Sequence, residues 1–140
     1  MIRVTILGCG SSGGVPRIGG NWGACDPDDP KNRRRRCAIL IDRIEGDAMT
    51  RVLVDTGPEL VPQMLVAGVS TNDAVVWTHS HADHVHGIDD LRQMAYNARA
   101  RVQGYADAET SASLRDRFGY VFETAAGSNY PPICDLHLLD

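Results

Sequence analysis

Apolar residues fall mostly in short alternating runs along this chain, and in two stretches the spacing widens to that of a helix. Residues 2–7 predict a first core strand with Val4 and Ile6 on one side, ended by Gly8. Residues 37–43 and 51–55 predict an antiparallel hairpin with its turn at 45–49. A helix is expected over 59–67, with Pro58 and Pro62 tolerated near its first turn, Gly68 closing it, and Leu60, Met64 and Leu65 facing the core. A β-branched run at 74–78 predicts another strand. Ile88, Leu91 and Met94 then recur at helical spacing, so 87–98 reads as an amphipathic helix. Residues 102–105 predict a strand, Asp107 caps a helix through Arg117 that Gly119 ends, and 120–122 reads as a brief extended piece. After a turn-rich loop at 127–132, residues 133–139 resume alternation. Strands interleaved with helices, and no internal repeat, predict one α/β (α+β) domain over 1–140.

Composition changes this picture little. The 140 residues are 43% hydrophobic and 23% charged, an ordinary globular balance. The chain opens on a strand-like segment without a long apolar stretch, so export and membrane insertion are unsupported and the cytoplasm is the expected location. Cys9, Cys25, Cys37 and Cys134 form no C-x-x-C pair and read as reduced thiols; Cys25 is expected to be buried rather than to hold a structural metal. A net charge of −4 argues against a general nucleic-acid surface. Locally, Lys31 and Arg33 to Arg36 form a basic run that can attract phosphate or pair with Asp26, Asp28 and Asp29. The glycines from Gly8 to Gly20 surround Pro16 and leave no room for an immediate helix, which excludes a dinucleotide loop.

The densest chemistry follows Thr78, where His79, His81, Asp83 and His84 fall within six residues. If extended geometry continues past the strand, His79 and His81 point to the same side, with Asp83 and His84 on the following turn. Imidazole nitrogen with carboxylate oxygen suits zinc first and also manganese or iron, not an all-oxygen calcium or magnesium cage. A solvated histidine-rich turn, with Asp83 capping a helix, is the plainer alternative.

The motif His79-x-His81-x-Asp83-His84 after an apolar strand resembles the first metal motif of the metallo-β-lactamase-fold hydrolases. The opening Leu7 to Arg17, the segment from Asn21 to Pro27 and the continuation from His84 to Arg92 are similar to the PhnP-like cyclic-phosphate phosphodiesterases, with tRNA 3′-processing endonucleases more distant. The resemblance implies an αββα sandwich, of which this chain is the N-terminal half with a mostly antiparallel or mixed sheet and flanking helices. It implies two divalent ions held by His79, His81, Asp83 and His84 with further ligands from elsewhere, and Asp83 as the residue handling the nucleophile's proton. Asp55 is expected to support the histidine loop by hydrogen bonding and His86 to lie behind the ligands or face substrate. His137, in a strand-like context, is expected to pack or face solvent. Arg17, Arg33 and Arg34 are candidate phosphate contacts. The implied substrate is a small cyclic or nucleotide-like phosphate ester, with no membrane or nucleic-acid partner and with a homodimer compatible. A nuclease, a thioester or lactam hydrolase and a non-catalytic metal-binding fragment are the competing readings.

Overall fold

The computed structural model describes residues 1–139 and shows one six-stranded sheet with every strand beside its sequence neighbour. The first strand, β1 (Ile2–Gly8), pairs antiparallel with β2 (Ala38–Glu45), which forms a hairpin with β3 (Ala48–Val54). The expected hairpin turn narrows to residues 46–47, because Gly46 at φ 59° takes the first central position of a two-residue turn. From β3 onward all pairing is parallel, through β4 (Ala74–Val76), β5 (Val102–Ala106) and β6 (Cys134–Leu138). The sheet is therefore mixed, with its parallel half made by helical crossovers.

Those crossovers are α1 (Leu60–Ala67), the single turn α2 (Ala82–Val85), α3 (Leu91–Ala98) and α4 (Ala108–Phe122). They cover one face of the sheet, where Leu40, Leu53 and Val75 join Leu60, Leu91 and Leu114 in a single core. At Gly104 an added Cβ would lie 2.6 Å from the ring of Trp77 and 2.7 Å from Cys134 Sγ, so β5 and this aromatic ring meet at backbone distance.

Three expectations fail here for packing reasons. In α1 the core face is Leu60, Gln63 and Met64, whereas Leu65 is 75% exposed. Helical spacing selects the i, i+3, i+4 set, and Gln63 satisfies its amide nitrogen on the Arg36 carbonyl at 3.0 Å. The helix beginning at Ala108 does not stop at Gly119; it bends at Phe118 (φ −131°, ψ 34°) and runs on to Phe122. Burial of Val121 and Phe122, the latter edge-on to Trp77 at 6.3 Å, overrides the glycine. Nor is β1 a core strand: Val4 and Ile6 share one side as expected, yet both are exposed, as is Ile2 beside them. They continue across Ile39, Ile41, Val52 and Val54, only half-buried, as an apolar sheet face that no helix among the described residues covers.

Candidate metal centre

The histidine loop hangs from β4. This strand ends at Val76, shorter than expected, and Trp77 anchors its exit by donating from Nε1 to Thr56 Oγ1 at 2.9 Å in the core. The next residue is gripped by Asp55. Thr78 donates its backbone N–H to Asp55 Oδ1 at 2.8 Å and its hydroxyl to Asp55 Oδ2 at 2.8 Å. The chain then enters α2 at His81, and the Asp55 to Gly57 turn brackets it: Thr56 N–H donates to the His84 carbonyl at 2.7 Å and Gly87 N–H to the Thr56 carbonyl at 2.8 Å. Two glycines make this contact possible. A Cβ on Gly57 would lie 2.5 Å from the Asp83 carbonyl oxygen, and one on Gly87 would overlap the Gly57 carbonyl.

So held, three imidazoles cluster. The rings of His79 and His81 are 4.6 Å apart between centroids and those of His79 and His84 4.1 Å. Strand alternation does not produce this, since His79 and His81 lie beyond β4 in the loop; the clustering comes from the turn into α2. Asp83 sits in the first turn of α2, not at its cap, with Oδ2 3.3 Å from His84 Nε2.

Hydrogen bonding assigns the protons. His84 Nδ1 lies 2.7 Å from Asp55 Oδ2, so against a carboxylate it is the donor. The Thr78 hydroxyl spends its one proton on Asp55, so His79 Nδ1, 3.0 Å away, donates to Thr78 Oγ1. Both rings when neutral therefore keep Nε2 bare, the form in which an imidazole ligates a metal. His84 Nε2 then faces Asp83 Oδ2 as acceptor against acceptor, an arrangement that a shared proton or a shared cation satisfies. Donor type thus fits a divalent ion. Even so, no group of three or more His, Cys, Asp or Glu side chains among the described residues is disposed to hold one.

Asp55 itself is 4% exposed and adopts φ 65°, a left-handed conformation that aspartate tolerates better than most residues. His86 turns away from the cluster toward Arg117. His137 is remote in its contacts, stacked on Tyr105 at 5.0 Å and bonded to Gln103 at 2.8 Å on the uncovered sheet face.

The basic run is ordered. Arg34 exchanges backbone hydrogen bonds with Val15, each 2.9 Å, and Gly10 N–H donates to the Arg35 carbonyl at 2.7 Å, so the glycine-rich loop is stitched to it. The expected pairing with Asp26, Asp28 and Asp29 does not form. Asp26 and Asp29 accept backbone N–H bonds in their own turns, and the ion pair is Arg36 with Glu59 at 2.8 Å. Arg33 lies over the Trp22 ring and Arg34 donates to Cys9 Sγ, while the Arg17 stem packs on Gly13. Arg33 and Arg34 line a cleft of about 350 Å³ that Gly13 and Glu59 also border. Cys25 is half-buried rather than buried.

Comparison with known proteins agrees with this fold. A family model described as a beta-lactamase superfamily domain matches residues 50–137. A structure described as a new diphosphatase from the PhnP family superposes with a TM-score of 0.81 at 34% identity, over 100% of this chain and 52% of that one. Zinc-bound PqqB from Methylobacterium extorquens shares the fold with a TM-score of 0.67 at 20% identity, over 99% of this chain and 46% of that one. A protein named octanoyltransferase, from Porphyromonas gingivalis (strain ATCC BAA-308 / W83), is 40% identical over 86% of this chain, which corresponds to 24% of its own length. The chain thus spans about half the length of the solved structures and about a quarter of that relative.

Proposed function

We propose that this chain, which belongs to the beta-lactamase superfamily, carries the metal-binding half of a cytoplasmic metal-dependent phosphodiesterase acting on a small cyclic or nucleotide-like phosphate ester. The observation that carries the reading is the proton assignment at Asp55: one carboxylate leaves the Nε2 atoms of His79 and His84 bare beside Asp83 and His81. His79 and His81 would hold one divalent ion and Asp83 with His84 a second, each with a further ligand from outside this chain. Two such ions, when bound, supply a hydroxide nucleophile near neutral pH and positive charge for the phosphoryl oxygens. Asp83 accepts the proton given up as the nucleophile forms, while Asp55 keeps His84 oriented and does not touch the substrate.

Support for a phosphate ester over a thioester or lactam comes from the basic run, whose backbone is tied down and whose Arg33 and Arg34 lack acidic partners among the described residues. Gly57 lies between this run and the histidine loop, since a Cβ added there would meet Arg36 Cβ at 3.8 Å and the Asp83 carbonyl oxygen at 2.5 Å. The test is turnover of phosphodiester and thioester panels by the longer protein that carries this chain, with zinc or manganese. We expect phosphodiester turnover, lost in His81→Ala. Thioester turnover alone, or activity untouched by His81→Ala, would overturn the reading.

A further inference from the structure

We propose that Arg117 of α4 is a positioning residue for the histidine loop, tying the backbone between His79 and His81 to the ring of His86. Its Nη1 donates to the Ser80 carbonyl at 2.6 Å and its Nη2 to His86 Nε2 at 2.8 Å. These acceptors lie on either side of α2, so one planar guanidinium closes the loop across its turn. Phe118 backs the arrangement from both directions: the guanidinium carbon stands 5.1 Å from its ring centroid, and the His86 ring meets it edge-on at 6.0 Å. The bend in α4 falls at this same phenylalanine, so the helix departs from regular geometry where it meets the loop.

Charge neutralisation does not account for the contact. Arg117 makes no ion pair among the described residues, and both its assigned bonds go to the loop. The consequence is a division among the imidazoles. Asp55 leaves His79 and His84 with bare Nε2 atoms, whereas Arg117 occupies the Nε2 lone pair of His86 and places that ring's proton on Nδ1. Arg117 thereby withholds His86 from ligation while fixing the Ser80 carbonyl between two ligating candidates. Only the metal arm of the test below rests on the proposed function.

The experiment is histidine ¹⁵N spectroscopy and amide hydrogen exchange on the metal-free chain and its Arg117→Met variant. In the wild type His86 should be the Nδ1–H tautomer. In Arg117→Met it should move toward Nε2–H, and protection of the His84 and His86 amides should fall roughly tenfold, the equivalent of a lost hydrogen bond, with β2 and β3 unchanged. Zinc affinity should fall ~10–100-fold, as for other groups that orient ligands. An unchanged tautomer with unchanged protection would overturn the proposal. Should Arg117→Met fail to fold, Arg117→Lys decides: an ammonium reaches one acceptor at a time, so retention of both the His86 tautomer and loop protection overturns it. A wild-type chain whose histidine ¹⁵N shifts stay fixed even at the high zinc concentrations that two-donor sites require would overturn the metal reading instead, and the tautomer result would still decide the role of Arg117.

Discussion

Asp55 Oδ2 accepts the Nδ1–H of His84 at 2.7 Å from a backbone held at φ 65°. A buried carboxylate thus orients the loop while its own main chain sits in a region that most side chains avoid. Asn tolerates that backbone and keeps one acceptor, so Asp55→Asn should preserve the fold and weaken zinc binding ~10–100-fold. Asp55→Ala should also cost on the order of 3 kcal/mol, because the Thr78 and His84 donors lose their partner. Urea denaturation beside zinc titration separates the two effects; equal zinc affinity in wild type and Asp55→Asn would remove the orienting role.

Gly87→Ala is expected to destabilise the chain by about 1–3 kcal/mol and to displace the loop, since the new methyl would overlap the Gly57 carbonyl. The group it meets most closely is the Gly57 carbonyl of the backbone, so no rotamer change relieves the overlap. The loop amides should lose hydrogen-exchange protection before those of β2. A variant as stable as the wild type would mean that the loop shifts freely.

Much of this was legible in the sequence because it is local. The spacing of His79, His81, Asp83 and His84 announces a donor cluster, and the alternation and helical periods place all six strands and the longer helices. What was not legible depends on tertiary contact. Leu65 is exposed and Gln63 takes a core position because hydrophobicity names an apolar residue but not the face a helix turns inward. Gly119 fails as a stop because the burial of Phe122 outweighs local propensity. Arg117 lies far from the motif in sequence and carried no signal there, since only folding brings α4 against Ser80 and His86.

Asp42 is expected to make stability depend on acid pH. It is 2% exposed between Arg51 and Arg3, and the hydrogen bond from Arg51 is the chief cause holding its carboxyl at about 2, below the ordinary 3.8, against the opposing effect of burial. A carboxyl whose folded pKa is depressed contributes stability that is complete above its unfolded pKa and is lost as pH falls through the folded value. The contribution, on the order of 2 kcal/mol, should therefore fade between pH 4 and pH 2. Subtracting the denaturation free energies of Asp42→Asn from those of the wild type at each pH isolates it. A difference that stays flat over that window would show that the arginines do not hold the charged form.

The uncovered sheet face should drive self-association. Ile2, Val4 and Ile6 are exposed on the edge strand β1, and an apolar edge invites pairing with another copy. Val4→Lys combined with Ile6→Lys should raise the monomer fraction in sedimentation experiments while leaving unfolding nearly unchanged, because exposed positions contribute little to the core. A wild type that is already monomeric would show that this face is tolerated in water.

Zinc binding by the 140-residue chain alone should be weak, and the reason is the count and direction of its donors. Asp55 and Thr78 leave two imidazole nitrogens bare, and Asp83 adds a carboxylate within 3.3 Å of one of them. Yet no three donors among the described residues are disposed to hold one ion, whereas a catalytic zinc takes three protein ligands and keeps an open position. The pairs His79 with His81 and Asp83 with His84 should therefore respond to zinc at similar, high concentrations, and His81→Ala should abolish the response of the first pair while sparing the second. Titration followed by histidine ¹⁵N shifts resolves the pairs individually. Tight binding of two ions per chain would mean that these four side chains rearrange into complete sites unaided, and that no outside ligand is needed.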